Sequence, residues 1–203
     1  NVTIGVDENY IKHKGTQGEK LIFYYSKMDE AFCMMSMRDA NYINIALQIY
    51  KMLDQMYSGY PLLTMRMGQA LGKLGNHEDA IACLKKALNL TKEIYKTIDQ
   101  KRTAWPDALP RADYSHIVSR IPKLIGFYLW GHIETIEPAN KSEIATLYYR
   151  AYQETLVGLE GVKSDKAQFA SYRNNLLFYA IGYLKNLEHE NPQLPWSIES
   201  AVM

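Results

Sequence analysis

The sequence predicts an all-α protein assembled from helical hairpins, and three observations carry that prediction. Apolar residues recur at intervals of three and four almost throughout the chain, with no sustained alternation of period two. Six of the seven prolines, Pro61, Pro106, Pro110, Pro138, Pro192 and Pro195, fall between these periodic segments, where a residue without an N–H does least harm. Two neighbouring segments 34 residues apart also align without a gap, placing Ala46 under Ala80, Tyr50 under Leu84 and Leu53 under Ala87.

Taken in order, the first periodic run spans Leu21 to Met37, and after Arg38, Asp39 and Ala40 a second runs from Asn41 to near Tyr57. Together they make a first hairpin. Pro61 opens a third run that continues through Leu74, a good first helical residue because its missing donor would be unpaired there anyway. Gly75 stops that run, Asn76 reads as an N-cap with Asp79 in the first turn, and a fourth run continues to about Ile98. The segment Asp99 to Ala112, with Trp105, Pro106 and Pro110, breaks the pattern and reads as a long connection. A third hairpin runs from Asp113 to about Thr135 and from Lys141 to about Leu159, with Asn140 and Glu143 spaced as a capping box. Pro122 falls inside its first helix, so either a short turn precedes a helix starting near Ile121 or one helix is kinked there. A seventh helix follows Ser164 and Asp165 and extends to roughly Leu187. Residues 1–19 are set apart as an N-terminal extension, 20–188 as one repeat domain and 189–203 as a tail.

The run Gly68, Leu71, Gly75, Ala80, Leu84, Ala87 and Leu88 resembles the tetratricopeptide repeat consensus, most clearly over residues 61–91. Small residues at Gly68 and Ala80 let two helices approach, and Ala87 lets the second helix accept the next hairpin. The preceding unit follows mainly through Ala46, with Met34 where a small residue is usual. In the third unit Gly126 and Leu129 fit, but the longer turn from Ile136 to Asn140 brings Ala145 in about seven residues late. Asn174, Asn175, Leu176, Leu177 and Ala180 look like the first helix of a further repeat that lacks its partner. The resemblance implies a right-handed helical-hairpin solenoid of about three such repeats plus a C-terminal capping helix.

Chemistry finds no foothold in the same residues. The 23 Lys and Arg against 22 Asp and Glu give a net charge of +1, which provides no overall field for nucleic acid or an anionic membrane. No apolar run approaches membrane-spanning length. Cys33 and Cys83 read as small core residues of a reducing, cytoplasmic environment rather than a disulfide. The chain starts at Asn1 with neither a methionine nor an apolar signal segment, as a mature form or an excised piece would. The five histidines are scattered, with no HExxH and no CxxC, so no metal or other cofactor is expected. The stretch GQALGKLG from Gly68 fails the phosphate-loop pattern in its glycine spacing and in lacking Ser or Thr after Lys73. There is no GxSxG, and the pairs Asp29–Glu30 and Glu78–Asp79 are adjacent, so they point apart on a helix and cannot share a proton. The sequons at Asn1, Asn89 and Asn140 carry little weight without a secretory signal.

A binding surface remains. In tetratricopeptide arrays the first helix of each hairpin lines a concave groove. Carried over residue by residue, the resemblance implies groove positions at Met35 and Arg38, then Met65, Gln69 and Lys73. Next come Arg120, Lys123, Phe127 and Trp130, and in the last helix Asn174 and Phe178. Cations, amides and rings suit an acidic peptide or partner protein. The expectation is therefore a non-catalytic protein–protein interaction module. A regulatory or sensor domain whose effector lies outside this chain is the alternative, and an enzyme on a helical scaffold the third reading.

Overall fold

The computed structural model describes residues 8–97, 111–160, 162 and 165–187, all of it helix and connecting turns. Eight helices follow one another: α1 (Glu8–His13), α2 (Gln17–Ser36), α3 (Ala40–Met56), α4 (Pro61–Lys73), α5 (His77–Thr97), α6 (Arg111–Ile133), α7 (Lys141–Glu160) and α8 (Lys166–Asn186). No strand occurs among the described residues, so the all-α expectation holds. The connection expected at Asp99 to Ala112 lies outside the described residues except where α6 begins, and so does the tail 189–203.

Local chemistry sets the ends of these helices. Thr16 caps α2: the Glu19 N–H donates to Thr16 Oγ1 at 3.3 Å and the Thr16 N–H to Glu19 Oε2 at 2.7 Å, a reciprocal box inside the segment read as an extension. In that segment α1 also packs on α2 and buries Ile11. Asp39 starts α3 by accepting from the Asn41 N–H at 2.7 Å. Pro61 is the first residue of α4, as expected. Gly75 ends that helix with φ at +83°, and the Asn76 N–H reaches back to the Leu71 carbonyl at 3.0 Å while the Gly75 N–H bonds the Gly72 carbonyl at 3.2 Å. A left-handed residue is needed there and glycine supplies it without a Cβ clash. Glu143 N–H donates to Asn140 Oδ1 at 3.4 Å and its carboxylate accepts from the Asn140 side-chain amide, so the spacing read as a box does cap α7.

Each helix packs on its neighbours in the chain, and α4 also touches α6. The even-numbered helices meet in turn. Lys73 Nζ donates to the Met35 carbonyl at 2.9 Å, joining α4 to α2, and the Tyr128 hydroxyl donates to the Gln69 carbonyl at 3.3 Å, joining α6 to α4. Two apolar clusters share α4: Leu63 and Ala70 lie with Tyr24, Tyr50 and Leu53, whereas Met65 lies with Ala80, Leu84 and Ile121. Each such side chain contributes about 1.5–3 kcal/mol by leaving water. Close approach depends on missing side chains. A Cβ at Gly68 would lie 3.0 Å from the Ala80 carbonyl and 3.1 Å from Leu84 Cγ, and one at Gly72 would collide with the Tyr128 ring. Gly126 does the same work in the next hairpin, facing the Ala151 carbonyl and Thr155 Oγ1. The residue opposite that glycine is thus Ala151, one and a half turns beyond the Ala145 suggested by the sequence.

Candidate functional site

Pro122 is the starting point of the site. It lies inside a continuous α6, so of the two alternatives left by the sequence no turn precedes a new helix there. Lacking an N–H, it opens the helical ladder at that turn. Tyr172 of α8 packs against this turn, and its hydroxyl donates to the Ser119 carbonyl. The donor that Pro122 lacks is the one the Val118 carbonyl would accept, and the phenol ties α8 to the carbonyl one residue further on. Burial pushes the Tyr172 hydroxyl up to about 12, against the opposing effects of the Lys123 N–H and the Arg120 charge.

Above this joint α6 and α8 separate into a cleft of about 420 Å³. Arg120, Lys123, Leu124 and Phe127 line it from α6, and Gln168, Tyr172 and Asn175 from α8. Lys123 Nζ donates to Ser171 Oγ at 2.7 Å and sits 5.4 Å from the Tyr172 ring centre, so its charged tip is held at the cleft wall. Arg120 is exposed at the mouth. An aromatic edge continues from the cleft. Phe127 and Trp130 meet at 5.6 Å, and Trp130 meets Phe178 edge to face at 5.7 Å and 89°. Phe127 is 48% exposed and Phe178 47%, while Trp130 is half-buried between them.

The charge here is mostly positive, the Asp165 carboxylate at the start of α8 being held by Gln168 Nε2 at 2.8 Å. From Ile117 to Ile133 and over all of α8, five of the chain's 23 Lys and Arg residues occur and none of its 22 Asp and Glu. The near-zero net charge of the molecule conceals this local excess. Arg66 of α4 extends it: its guanidinium lies 4.7 Å over the Phe32 ring and bonds Gln69 Oε1 at 3.0 Å. Burial lowers its pKa and the positive charge of Arg120 lowers it further, so the two guanidinium groups feel one another.

Of the groove positions implied by the sequence, Arg120, Lys123 and Phe127 come together in the cleft, with Trp130 and Phe178 on its aromatic edge. Asn174 is exposed but one residue away from Asn175, which lines the cleft instead. The positions on α2 and α4 need correction. Met65 is 1% exposed within the core, Met35 is buried, and Gln69 is buried with its side chain held by Arg66 and its carbonyl by Tyr128. These leave no surface for a ligand, because α4 has packed neighbours on both flanks. Lys73 stays exposed with one donor on the Met35 carbonyl, Arg38 stands exposed in the turn after α2 with φ at +58°, and neither lines the cleft. Gln168 and Tyr172 were missed. Moving the last-helix register by one residue, from Asn174 to Asn175, would have brought Gln168 onto the same face two turns earlier.

Among the described residues no three His, Cys, Asp or Glu side chains converge as a metal site would require. No helix among them is long and apolar enough to cross a membrane. No family model, curated protein or solved structure matches the chain.

Proposed function

We propose that this protein is a non-catalytic interaction module, a tetratricopeptide-like solenoid of about three repeats with a C-terminal helix, that binds an acidic peptide or partner segment in the α6–α8 cleft in the cytoplasm. The observation that carries the reading is the convergence of Arg120, Lys123 and Phe127 on an open cleft whose described lining residues include no carboxylate. Ligand carboxylates would meet the guanidinium and ammonium groups, the Gln168 and Asn175 amides would meet main-chain groups, and apolar side chains would lie on Phe127 and Phe178. The repeat reading is supported by the Gly68–Ala80 and Gly126–Ala151 approaches and by the contacts that pass from α2 to α4, α6 and α8 in turn.

The test is fluorescence anisotropy with labelled acidic peptides, comparing the parent with an Arg120→Glu, Lys123→Glu double variant. Two charge-assisted contacts at about 1.5–3 kcal/mol each predict a loss of affinity of tenfold or more. The melting temperature should stay the same, since Arg120 is exposed and Lys123 bonds only at its tip. Equal affinity in the two proteins would exclude the cleft as the site.

A further inference from the structure

The two ends of the row of helices both expose large apolar side chains. On α8 the exposed residues include Leu177, Phe178, Ile181 and Leu184, and Leu177, Ile181 and Leu184 are spaced to form one outward stripe. A terminal helix in a stacked array needs a polar outer face to stay in solution, and this one is apolar where a cap would be polar. The outer face of α5 shows the contrast: over residues 77–94 it exposes Glu78, Asp79, Lys85, Lys86, Asn89, Lys92 and Glu93 but no large apolar side chain. At the other end, the exposed side of α2 presents Ile22, which is 72% exposed, beside Tyr25, while Phe32 further along carries the Arg66 guanidinium over its ring.

Charge distinguishes the two faces. The charged residues that α8 exposes are Lys166, Arg173 and Lys185, all cations. Those that α2 exposes are Glu19, Asp29 and Glu30, all acids, with Lys27 turned partly inward onto Glu30 at 2.8 Å. Two α8 faces brought together would oppose like charges across an apolar contact, whereas α8 against α2 matches both apolar area and sign.

We infer that a second copy of this chain covers each face, the α8 surface of one molecule packing on the α2 surface of the next. The contact is heterologous, so it does not close by itself and gives short head-to-tail chains whose length grows with concentration. One helix face per molecule is at the small end of interface sizes, so association belongs in the micromolar range or weaker.

Sedimentation of the full chain over a concentration series tests this. The parent should show a weight-average mass that rises with concentration. Ile22→Glu and Ile181→Glu should each remain monomeric, because each removes one of the two faces. Mixed in equal amounts they should form a discrete dimer that neither forms alone, since each supplies the face that the other has lost. Both residues are exposed, so circular dichroism should show the parent's helix content. Asp29→Lys and Arg173→Glu provide a gentler pair that should each weaken association and restore it when mixed. A monomeric parent would overturn the inference. So would a dimer broken by Ile181→Glu and untouched by Ile22→Glu, which would mean α8 pairing with α8. Association that appears only after removal of residues 188–203 would overturn it as well, because the chain's own segment would then be the occupant of α8. Peptide binding in the α6–α8 cleft is a separate measurement, and its loss in the Arg120→Glu, Lys123→Glu variant leaves the sedimentation result unaffected.

Discussion

The hairpin α4–α5 and the hairpin α6–α7 are built on the same contact and put to different ends. In both, a glycine on the first helix admits the second: Gly68 faces Ala80, and Gly126 faces Ala151 and Thr155. The first hairpin is closed by the tight Gly75 turn and wedged between neighbours, so Met65, Gln69 and Gly72 are all covered. The second has a seven-residue connection from 134 to 140, a proline inside its first helix, and a neighbour, α8, that meets it through the short side chains of Ser171 and Asn175 as well as Tyr172. The regular hairpin provides rigidity. The irregular one leaves the cleft, and with it every cation and ring that a ligand can reach there.

The glycine contacts offer the strongest way to break that comparison. Ala80→Leu should destabilise by about 1–3 kcal/mol through overpacking against Gly68. Gly126→Val should cost a similar amount, because its side chain would collide with Thr155 Oγ1 and press on the Ala151 carbonyl. Chemical denaturation measures both. If Ala80→Leu matched the parent, the α4–α5 register would be wrong; if only Gly126→Val were silent, the two hairpins would not share a contact.

How far the sequence foretold this follows from the same contrast. Periodicity placed the helices from α2 onward, and Pro61, Gly75 and the Asn140–Glu143 spacing marked ends that the structure places within a residue or two, because those signals are local. The Thr16–Glu19 box was equally local and would have set the start of α2, but it lay in a stretch with too little apolar repetition to attract attention. Groove positions were not local. Whether Met65 or Phe127 faces solvent depends on which neighbours flank α4 and α6, and the consensus register carries no term for a helix covered on both sides. Tyr172 was illegible for a further reason: its role depends on a proline 50 positions earlier, and no pattern along the chain links the two.

That tyrosine supplies the next prediction. Tyr172→Phe keeps the ring and removes the hydroxyl that donates to the Ser119 carbonyl, at a cost of about 1–2 kcal/mol. Pro122→Ala should restore the donor for the Val118 carbonyl and tighten the turn that presents the Ser119 carbonyl to the phenol. In that background the cost of Tyr172→Phe should fall by half or more, a coupling that a double-mutant cycle reads directly. Additive effects would mean that the hydroxyl and the break at Pro122 act independently. The same cycle, read by peptide affinity, sharpens the link between the break in α6 and the cleft above it.

The smallest effect lies at the seam between the two hairpins. His77, at the start of α5, rests on Gly131 of α6 and beside the Tyr128 ring, 6.1 Å between ring centres, with its Nδ1 buried and without a hydrogen-bond partner among the described residues. Burial lowers its pKa, and His132 lowers it further. His132 in turn has its Nε2 3.7 Å from the exposed Glu78 carboxylate. A histidine whose folded pKa is depressed binds its proton more readily when unfolded, so its contribution to stability is complete above the unfolded value of about 6.5 and is lost as pH falls through the lowered folded value. The melting temperature should therefore drop as the pH falls below about 6.5, and His77→Phe, which keeps an aromatic ring against Gly131 but cannot charge, should flatten that slope. A slope unchanged in His77→Phe would assign the acid sensitivity to another group and leave the seam between the regular and the irregular hairpin held by packing alone.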